Sequence, residues 1–166
     1  MKVKPNYDFP QRFEKTYFRL DWIPEDKDLK ILIIGDSQKV ESDCLKSKGY
    51  KNVVSSEYEF PLPNQIVFDI ETASLPEKFD LVFCSHVLEH LKDPKQAFLN
   101  IKKMVKKGGQ AYIFVPEYEI CQIYDYHISC LTLEDWLKIF GDVEHKKFLN
   151  LDQEEYFFHY ENRRTS

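Results

Sequence analysis

Short apolar runs alternate along the chain with amphipathic segments, and glycine, proline or polar residues separate them. The run at 30–34 is continuously apolar after its lysine and is bounded by Gly35, so it predicts a strand buried on both faces of a parallel sheet. Similar apolar runs predict further strands at 79–84 and 111–115. Weaker runs predict short strands at 52–57 and 66–69, and the tail predicts an antiparallel hairpin from 147–151 and 156–160.

Helical spacing of apolar residues fills the intervals between these strands. A helix over about 40–48 is expected to stop at Gly49, since glycine accepts the left-handed conformation that ends many helices. The clearest helix begins at Asp93 and is expected to end at the glycine pair 108–109. Another begins at Thr132. This alternation of strand and helix is typical of an α/β protein with a mostly parallel sheet.

We predict one domain over residues 1–166, with a core at 29–160. Residues 1–28 are rich in aromatic side chains, and Phe9 and Phe13 stand one helical turn apart. That segment is expected to form a short helix or an extended lid, followed by a linker.

Composition narrows the possible functions. The formal net charge of −5 argues against a broad, sequence-independent grip on nucleic acid, which needs clustered basic residues. The basic run Lys102, Lys103, Lys106 and Lys107 is explained as one solvated helix face. No apolar run is long enough to cross a bilayer, so we expect a soluble, cytoplasmic protein without a membrane partner. The oligomeric state is left open.

The cysteines are expected to be reduced and mostly structural. The chain has four, and none of them forms a C-x-x-C pair. No hydrophobic leader with a cleavage site precedes them. The four are Cys44, Cys84, Cys121 and Cys130.

Two stretches carry a resemblance to a known family. Residues 79–94 read FDLVFCSHVLEHLKDP, and residues 107–116 read KGGQAYIFVP. Together they closely resemble strands four and five, and the intervening helix, of the class I S-adenosylmethionine-dependent methyltransferases. They look most like the branch that modifies small molecules and quinone precursors. The resemblance covers roughly 29–160 and implies a Rossmann-like fold: a three-layer α/β sandwich with a mostly parallel sheet and an antiparallel C-terminal hairpin.

The same resemblance implies S-adenosylmethionine as cofactor, in the crevice beyond the carboxyl ends of the parallel strands. Glu57 would hold the ribose hydroxyls, Asp69 and Ile70 would face the adenine, and Ser85 and His86 would flank the methionine part. Glu57 lies 22 residues beyond Gly35, a separation that suits a ribose-binding acid, although a solvated surface acid explains it equally well. The predicted cofactor-binding residues are Gly35, Asp36, Ser37, Glu57, Asp69, Ile70, Cys84, Ser85 and His86.

The first loop departs from the family pattern of an acid followed by three glycines. Ile33 replaces the acid, Gly35 is the one glycine kept, and Ser37 and Lys39 replace the others. In one interpretation Asp36 supplies the missing carboxylate and the cofactor still binds. In the alternative, the loop side chains fill the site and the domain is a catalytically silent binding or scaffolding module. The intact dinucleotide fingerprint is absent, which disfavours a nicotinamide enzyme.

Methyl transfer is an in-line displacement, so positioning and exclusion of water can supply most of the catalysis. For O- or N-methylation the candidate general bases are His86, His90 and His127, although His127 can also be explained as packing among tyrosines. His86, Glu89 and His90 have the spacing of a helical metal set, but backbone contacts explain them better and no metal is predicted. The aromatic loop 118–126, together with the N-terminal aromatic residues, is the expected wall for a small-molecule substrate, although core packing of the tyrosines explains this loop nearly as well.

Overall fold

The computed structural model describes residues 12–163, in which a six-stranded sheet is covered by helices on both faces. The helices are α1 (Arg12–Leu20), α2 (Val40–Ser47), α3 (Pro94–Met104), α4 (Tyr118–Cys121) and α5 (Leu133–Phe140). The strands are β1 (Lys30–Ile34), β2 (Asn52–Ser56), β3 (Phe79–Ser85), β4 (Val105–Pro116), β5 (Glu144–Asn150) and β6 (Gln153–Glu161).

The strand order is β2-β1-β3-β4-β6-β5. β1 pairs in parallel with β2 and β3, and β3 pairs in parallel with β4. β6 runs antiparallel to both β4 and β5, as the tail pattern predicts. The mostly parallel α/β sheet with an antiparallel C-terminal hairpin is therefore confirmed.

The strands β1, β3, β4 and β6 contribute to two apolar cores, because successive side chains of a strand point to opposite faces of the sheet. Ile31 and Ile33 of β1 lie in a cluster with Leu45 of α2 and Leu20 of α1. Their neighbour Leu32 lies in the other cluster, with residues of α3 and α5. The sheet is thus the middle layer of a three-layer sandwich.

The helix boundaries follow the local signals in the sequence. The Asp93 side chain accepts a hydrogen bond from the backbone N–H of Gln96 at 2.9 Å and caps α3. At the start of α5 the Thr132 hydroxyl accepts one from the Asp135 N–H at 3.3 Å. Gly49 follows α2 with a φ of +90°, the left-handed conformation expected of it.

The strand predicted at 66–69 does not form. Only an isolated bridge between Ser56 and Ile66 remains, and the chain then turns as the Asp69 carboxylate accepts a hydrogen bond from the Glu71 N–H at 2.9 Å. Pro61 and Pro63, which precede the bridge, have no N–H to donate to a ladder. The apolar run is therefore too short to add a strand to the sheet.

The expected end of the third helix is also wrong, since α3 ends before the glycine pair 108–109 and β4 begins at Val105. A Cβ on Gly109 would lie 2.9 Å from the Asp80 carbonyl oxygen, so this glycine permits close strand packing and does not stop a helix. Lys106 lies on the strand, where its ammonium pairs with the Asp80 carboxylate at 3.0 Å. The basic run therefore does not form one helix face.

The N-terminal aromatic segment contains a helix, α1, which packs against α2. Phe9, one of the two aromatics expected to share a helix face, lies outside the described residues. Within 12–163, no helix combines the length and apolar character needed to cross a membrane.

The expectation of four reduced cysteines is wrong for two of them. Cys121 and Cys130 form a disulfide, with their Cα atoms 5.4 Å apart. The loop between them folds back on itself, which the absence of a C-x-x-C pair could not reveal. Cys44 and Cys84 are buried free thiols.

Candidate functional site

The candidate site lies at the carboxyl edge of the parallel strands. Gly35 follows β1, Glu57 follows β2 and His86 follows β3. The antiparallel strand β6 begins at the same edge, because its Glu155 pairs with Pro116 at the end of β4. Sheet topology therefore brings the predicted residues and an acid from the C-terminal hairpin to one side of the molecule.

The loop after β1 is tightly constrained. Gly35 has a φ of +72°, and a Cβ at this position would overlap the Val87 side chain. The next turn contains two further residues with left-handed backbones, Gln38 at a φ of 57° and Lys39 at 59°. Gly35, the first glycine of the family pattern, is therefore required both by its left-handed backbone and by the adjacent Val87 side chain.

The Asp36 carboxylate has hydrogen-bond partners within the protein. Its side chain is fully buried, and Oδ1 accepts hydrogen bonds from the N–H groups of Glu41 at 3.0 Å and Ser42 at 3.3 Å. Oδ2 accepts a hydrogen bond from the Ser55 hydroxyl. This carboxylate therefore caps the first turn of α2 and links that turn to β2. The dipole of α2 also favours a negative charge at this end of the helix.

Glu57 directly follows β2, and residues 69–70 lie shortly after Ile66, which bridges to the last residue of β2. The Glu57 carboxylate is partly exposed and accepts hydrogen bonds from the N–H groups of Tyr58 at 2.8 Å and Glu59 at 3.2 Å. Ile70 is buried, and its carbonyl accepts a hydrogen bond from the Asn100 side chain at 2.8 Å. Asn100 of α3 thus holds this loop against the sheet.

Polar groups without partners gather in the turn after β3. Cys84 is buried in the core, and burial raises the pKa of its thiol well above the usual range. The Ser85 hydroxyl is buried and has no hydrogen-bond partner among the described residues. His86 has a left-handed φ of 54°, and its N–H donates to the Phe114 carbonyl at 2.9 Å.

Arg19, His86, Glu89 and Glu155 form a buried charge cluster beside this turn. His86 Nδ1 lies 3.3 Å from a Glu89 oxygen, and His86 Nε2 lies 3.3 Å from a Glu155 oxygen. Arg19 of α1 donates from two nitrogens to the Glu155 carboxylate, at 2.9 and 2.7 Å. Both Glu89 oxygens are buried without a hydrogen bond inside 12–163.

The cluster sets the charge of its members. Burial and the Arg19 guanidinium oppose the charged form of His86, but Glu155 and Glu89 outweigh them and raise the pKa of His86 to about 9. Burial likewise opposes the charged form of Glu89 and Glu155. Protonated His86 nevertheless holds the pKa of both carboxyl groups below the usual range, and the Arg19 guanidinium adds to this effect at Glu155. His86 is therefore a cation at neutral pH and a poor general base.

The other two predicted histidines lie together next to Glu89. The rings of His90 and His127 meet edge to face with centroids 4.8 Å apart. His127 Nδ1 lies 2.8 Å from the Cys121 carbonyl oxygen and donates to it, and burial lowers the pKa of this imidazole. His127 is thus neutral near pH 7, with Nε2 as its proton-accepting atom.

A cavity of about 360 Å³ lies between α1 and α2. Gln38 contributes to its wall, so the altered loop borders this space directly, whereas Glu57 and Asp69 do not line it. The residues around the cavity are Phe13, Thr16, Tyr17, Gln38, Val40, Asp43, Cys44 and Ser47.

Sequence reasoning missed Arg19, Asn100 and Glu155. Arg19 and Glu155 are 136 residues apart, so no local spacing connects them. Asn100 lies within an amphipathic helix pattern, and a polar residue on the apolar face was the only sequence signal that could have singled it out.

Comparison with known proteins supports the resemblance. Residues 39–113 match a family described as a methyltransferase domain. The ubiquinone biosynthesis O-methyltransferase of Pseudomonas putida (strain GB-1) is 28% identical over 123 residues, covering 63% of this chain and 53% of the relative. The Pseudomonas fluorescens (strain SBW25) protein of that name is 29% identical over 112 residues, with 57% and 48% covered. The chain spans about half the length of these curated relatives.

Solved structures agree on the fold. The N-methyltransferase NodS from Bradyrhizobium japonicum, in complex with S-adenosyl-L-homocysteine, superposes with a TM-score of 0.73 at 19% identity, covering 94% of this chain and 89% of NodS. A SAM-dependent methyltransferase from Archaeoglobus fulgidus gives 0.70 at 16% identity, with 94% and 99% covered. With the strand order above, these likenesses show that the chain has the Rossmann-like fold of such methyltransferases.

Proposed function

We propose that the chain transfers a methyl group from S-adenosylmethionine to the oxygen or nitrogen of a small-molecule acceptor. One observation carries the proposal beyond the fold. At the edge where such folds bind ligands, the Ser85 hydroxyl is buried without a hydrogen bond among the described residues, while the buried Glu89 carboxylate has the His86 imidazole 3.3 Å away as its ion-pair partner. Buried polar atoms are normally satisfied, so an unpaired hydroxyl at this position suits the polar end of a bound ligand.

The cofactor contacts follow from this placement. We propose that backbone groups of Gly35–Ser37 and of the Cys84–His86 turn approach the methionine part, with the Ser85 hydroxyl bonding to it. Glu57 would accept hydrogen bonds from the ribose, and Asp69 and Ile70 would border the adenine. Because Asp36 is engaged in capping α2, its carboxylate is left out of these contacts. When bound, the cofactor supplies the reactive methyl group on its sulfonium.

The histidines take different roles in this proposal. His86 is protonated between two carboxylates, so it fixes the charge and position of Glu89 and does not accept a proton. His127 is neutral, with Nδ1 tied to a backbone carbonyl, and its Nε2 is the better proton acceptor for an acceptor hydroxyl. His90 packs against it and is the second candidate.

The relatives indicate the class of acceptor. Two of them are O-methyltransferases of ubiquinone biosynthesis, so a hydroxyl on a small aromatic ring is our preferred acceptor. A hydroxyl acceptor agrees with a neutral histidine at the site, since its oxygen must lose a proton during transfer. The predicted division into a 1–28 lid and a 29–160 core belongs to the same proposal, with α1 as part of the lid.

A catalytically silent module is the alternative. It would account for Gln38 at the cavity wall and for the lost glycines of the first loop. It leaves the unpaired Ser85 hydroxyl after β3 without an explanation, which is why we do not favour it.

Calorimetric titration with S-adenosylmethionine and S-adenosylhomocysteine tests the proposal. Glu57→Gln keeps an oxygen for the Tyr58 and Glu59 N–H groups but removes the charge offered to the ribose, so we expect affinity to fall about tenfold. Glu59→Gln, two residues away, is the matched control and should bind as the unaltered chain does. A flat titration of folded, unaltered protein would favour the silent module instead.

A further inference from the structure

Three soft or borderline metal ligands lie together in the loop that follows β4. The ligand atoms of Cys121, His127 and Cys130 all fall within 4.8 Å of one another. They span ten residues, with the histidine between the two cysteines. Two thiolates and an imidazole are the usual donor set of a zinc site, in which each ligand lies about 2.0–2.3 Å from the metal.

His127 is already arranged as a metal ligand. Its Nδ1–H is donated to the Cys121 carbonyl at 2.8 Å, which fixes the tautomer and leaves the Nε2 lone pair available. A zinc ion bound there would occupy the lone pair assigned above to proton acceptance, so the two roles of His127 belong to the metal-bound and the metal-free chain. Backbone carbonyls orient metal-binding histidines in this way.

Contacts outside the disulfide hold the loop in this shape. The N–H groups of Ile128 and Ser129 both donate to the Glu89 carbonyl, at 2.8 and 2.9 Å. The Ser129 hydroxyl donates to the Leu91 carbonyl at 2.6 Å. Cys121 is buried at the end of α4. The two cysteines would therefore stay close to His127 after the disulfide is reduced.

We propose that Cys121, His127 and Cys130 form a zinc-binding site in the reduced chain, which the disulfide of the oxidised chain excludes. A phosphine reductant supplies two electrons and becomes the phosphine oxide by taking the oxygen of one water, which supplies two protons; the S–S bond breaks and two thiols form. Zn²⁺ then binds both sulfurs as thiolates and releases two protons. His90, whose ring meets that of His127, is the candidate for the fourth position, with water as the other.

A second ligand set shares His127 and must be distinguished. The ligand atoms of Glu89, His90 and His127 also lie within 4.8 Å of one another. Zn²⁺ and Co²⁺ both accept nitrogen and oxygen ligands, but only the cysteine set gives thiolate coordination, which is visible spectroscopically.

Cobalt is the probe, since Co²⁺ reports thiolate and tetrahedral coordination in its absorption spectrum. Full-length protein is reduced with a phosphine in metal-free, oxygen-free buffer and titrated with CoCl₂, and Zn²⁺ is then added to displace the Co²⁺. We expect one equivalent of Co²⁺ with a thiolate charge-transfer band, which oxidised protein does not show. The experiment contains no methyl donor, so its outcome is independent of the proposed methyl transfer.

Variants locate the ligands. His127→Ala should weaken Co²⁺ binding at least about tenfold, and Cys130→Ser should abolish the thiolate band. His145→Ala is the matched control, since His145 Nδ1 also lies near a backbone carbonyl, at 3.3 Å, on an exposed part of β5. Circular dichroism checks folding, and His127→Ala keeps the test valid if the cysteine variant does not fold.

Two results would overturn the proposal. The first is reduced, folded protein that takes up no Co²⁺. The second is Co²⁺ bound without a thiolate band, or equally well by the His127→Ala and His145→Ala variants.

Discussion

Two turns at the carboxyl edge of the same sheet satisfy their polar groups in opposite ways. After β1, the buried carboxylate of Asp36 accepts hydrogen bonds from two backbone groups of α2 and from a serine of β2. After β3, Ser85 and Glu89 are also buried, but the Ser85 hydroxyl makes no hydrogen bond within the described chain, and the Glu89 carboxylate has ion-pair contacts with His86 at 3.3 Å and His90 at 3.9 Å in place of hydrogen bonds. The second turn is surrounded by charges brought from α1 and β6.

The difference separates structural residues from candidate functional ones. A buried polar group that the protein itself satisfies contributes to stability, and a ligand cannot reach it without breaking those bonds. A buried polar group left open costs stability in the absence of a partner. The buried carboxylate of the loop after β1 is therefore engaged within the protein, whereas we propose the turn after β3 as the one that binds a ligand.

The largest effect is expected from removing the cation that supports the second turn. Arg19→Met leaves Glu155 buried without its two guanidinium hydrogen bonds, so we expect the free energy of unfolding to fall by about 3–5 kcal/mol in urea titration. The matched control is Lys51→Met, which breaks the exposed pair with Asp28 and should leave the urea midpoint unchanged. Equal midpoints for the two variants would show that the buried charge cluster does not hold α1.

The pH dependence of stability should report the same cluster. The pKa of His86 is raised from 6.5 to about 9 in the folded chain, so its stabilising contribution is complete below pH 6.5 and is lost as pH rises through 9. The groups that face His86 are Arg19, Glu89 and Glu155, and His90 lies 3.9 Å from the Glu89 carboxylate.

Urea titrations between pH 6.5 and 9 measure this loss, which we expect to be about 1–3 kcal/mol. In His86→Asn the slope should disappear, because asparagine tolerates the left-handed backbone but does not titrate. A slope that persists in His86→Asn would assign the pH dependence to other groups.

The smallest effects are expected from truncating one buried polar side chain in each turn, which compares the two turns directly. Asp36→Ala leaves the N–H groups of Glu41 and Ser42 and the Ser55 hydroxyl without their acceptor, and it should cost about 2 kcal/mol in thermal or urea unfolding. Ser85→Ala removes a hydroxyl that has no partner and should leave stability unchanged. Similar losses for both variants would remove the distinction between the two turns.

Much of the fold was predictable because its signals are local. The apolar run of β1, the Asp93 cap of α3 and the turn at Gly49 each depend on a few consecutive residues. Local signals failed where distant pairing decided the outcome. Val105 continued a helical pattern, yet pairing with Phe79 made it the first residue of a strand.

The sequence by itself determined the class of fold, the family resemblance and the edge of the sheet at which we propose the site, because periodicity and motif order can be read without coordinates. Only the tertiary structure decided the chemistry of that edge. It assigned Asp36 to a helix cap, made His86 a cation and brought Arg19 to Glu155 across 136 positions. Charge states and hydrogen-bond partners depend on burial and on residues distant in the chain, and neither is encoded in local spacing.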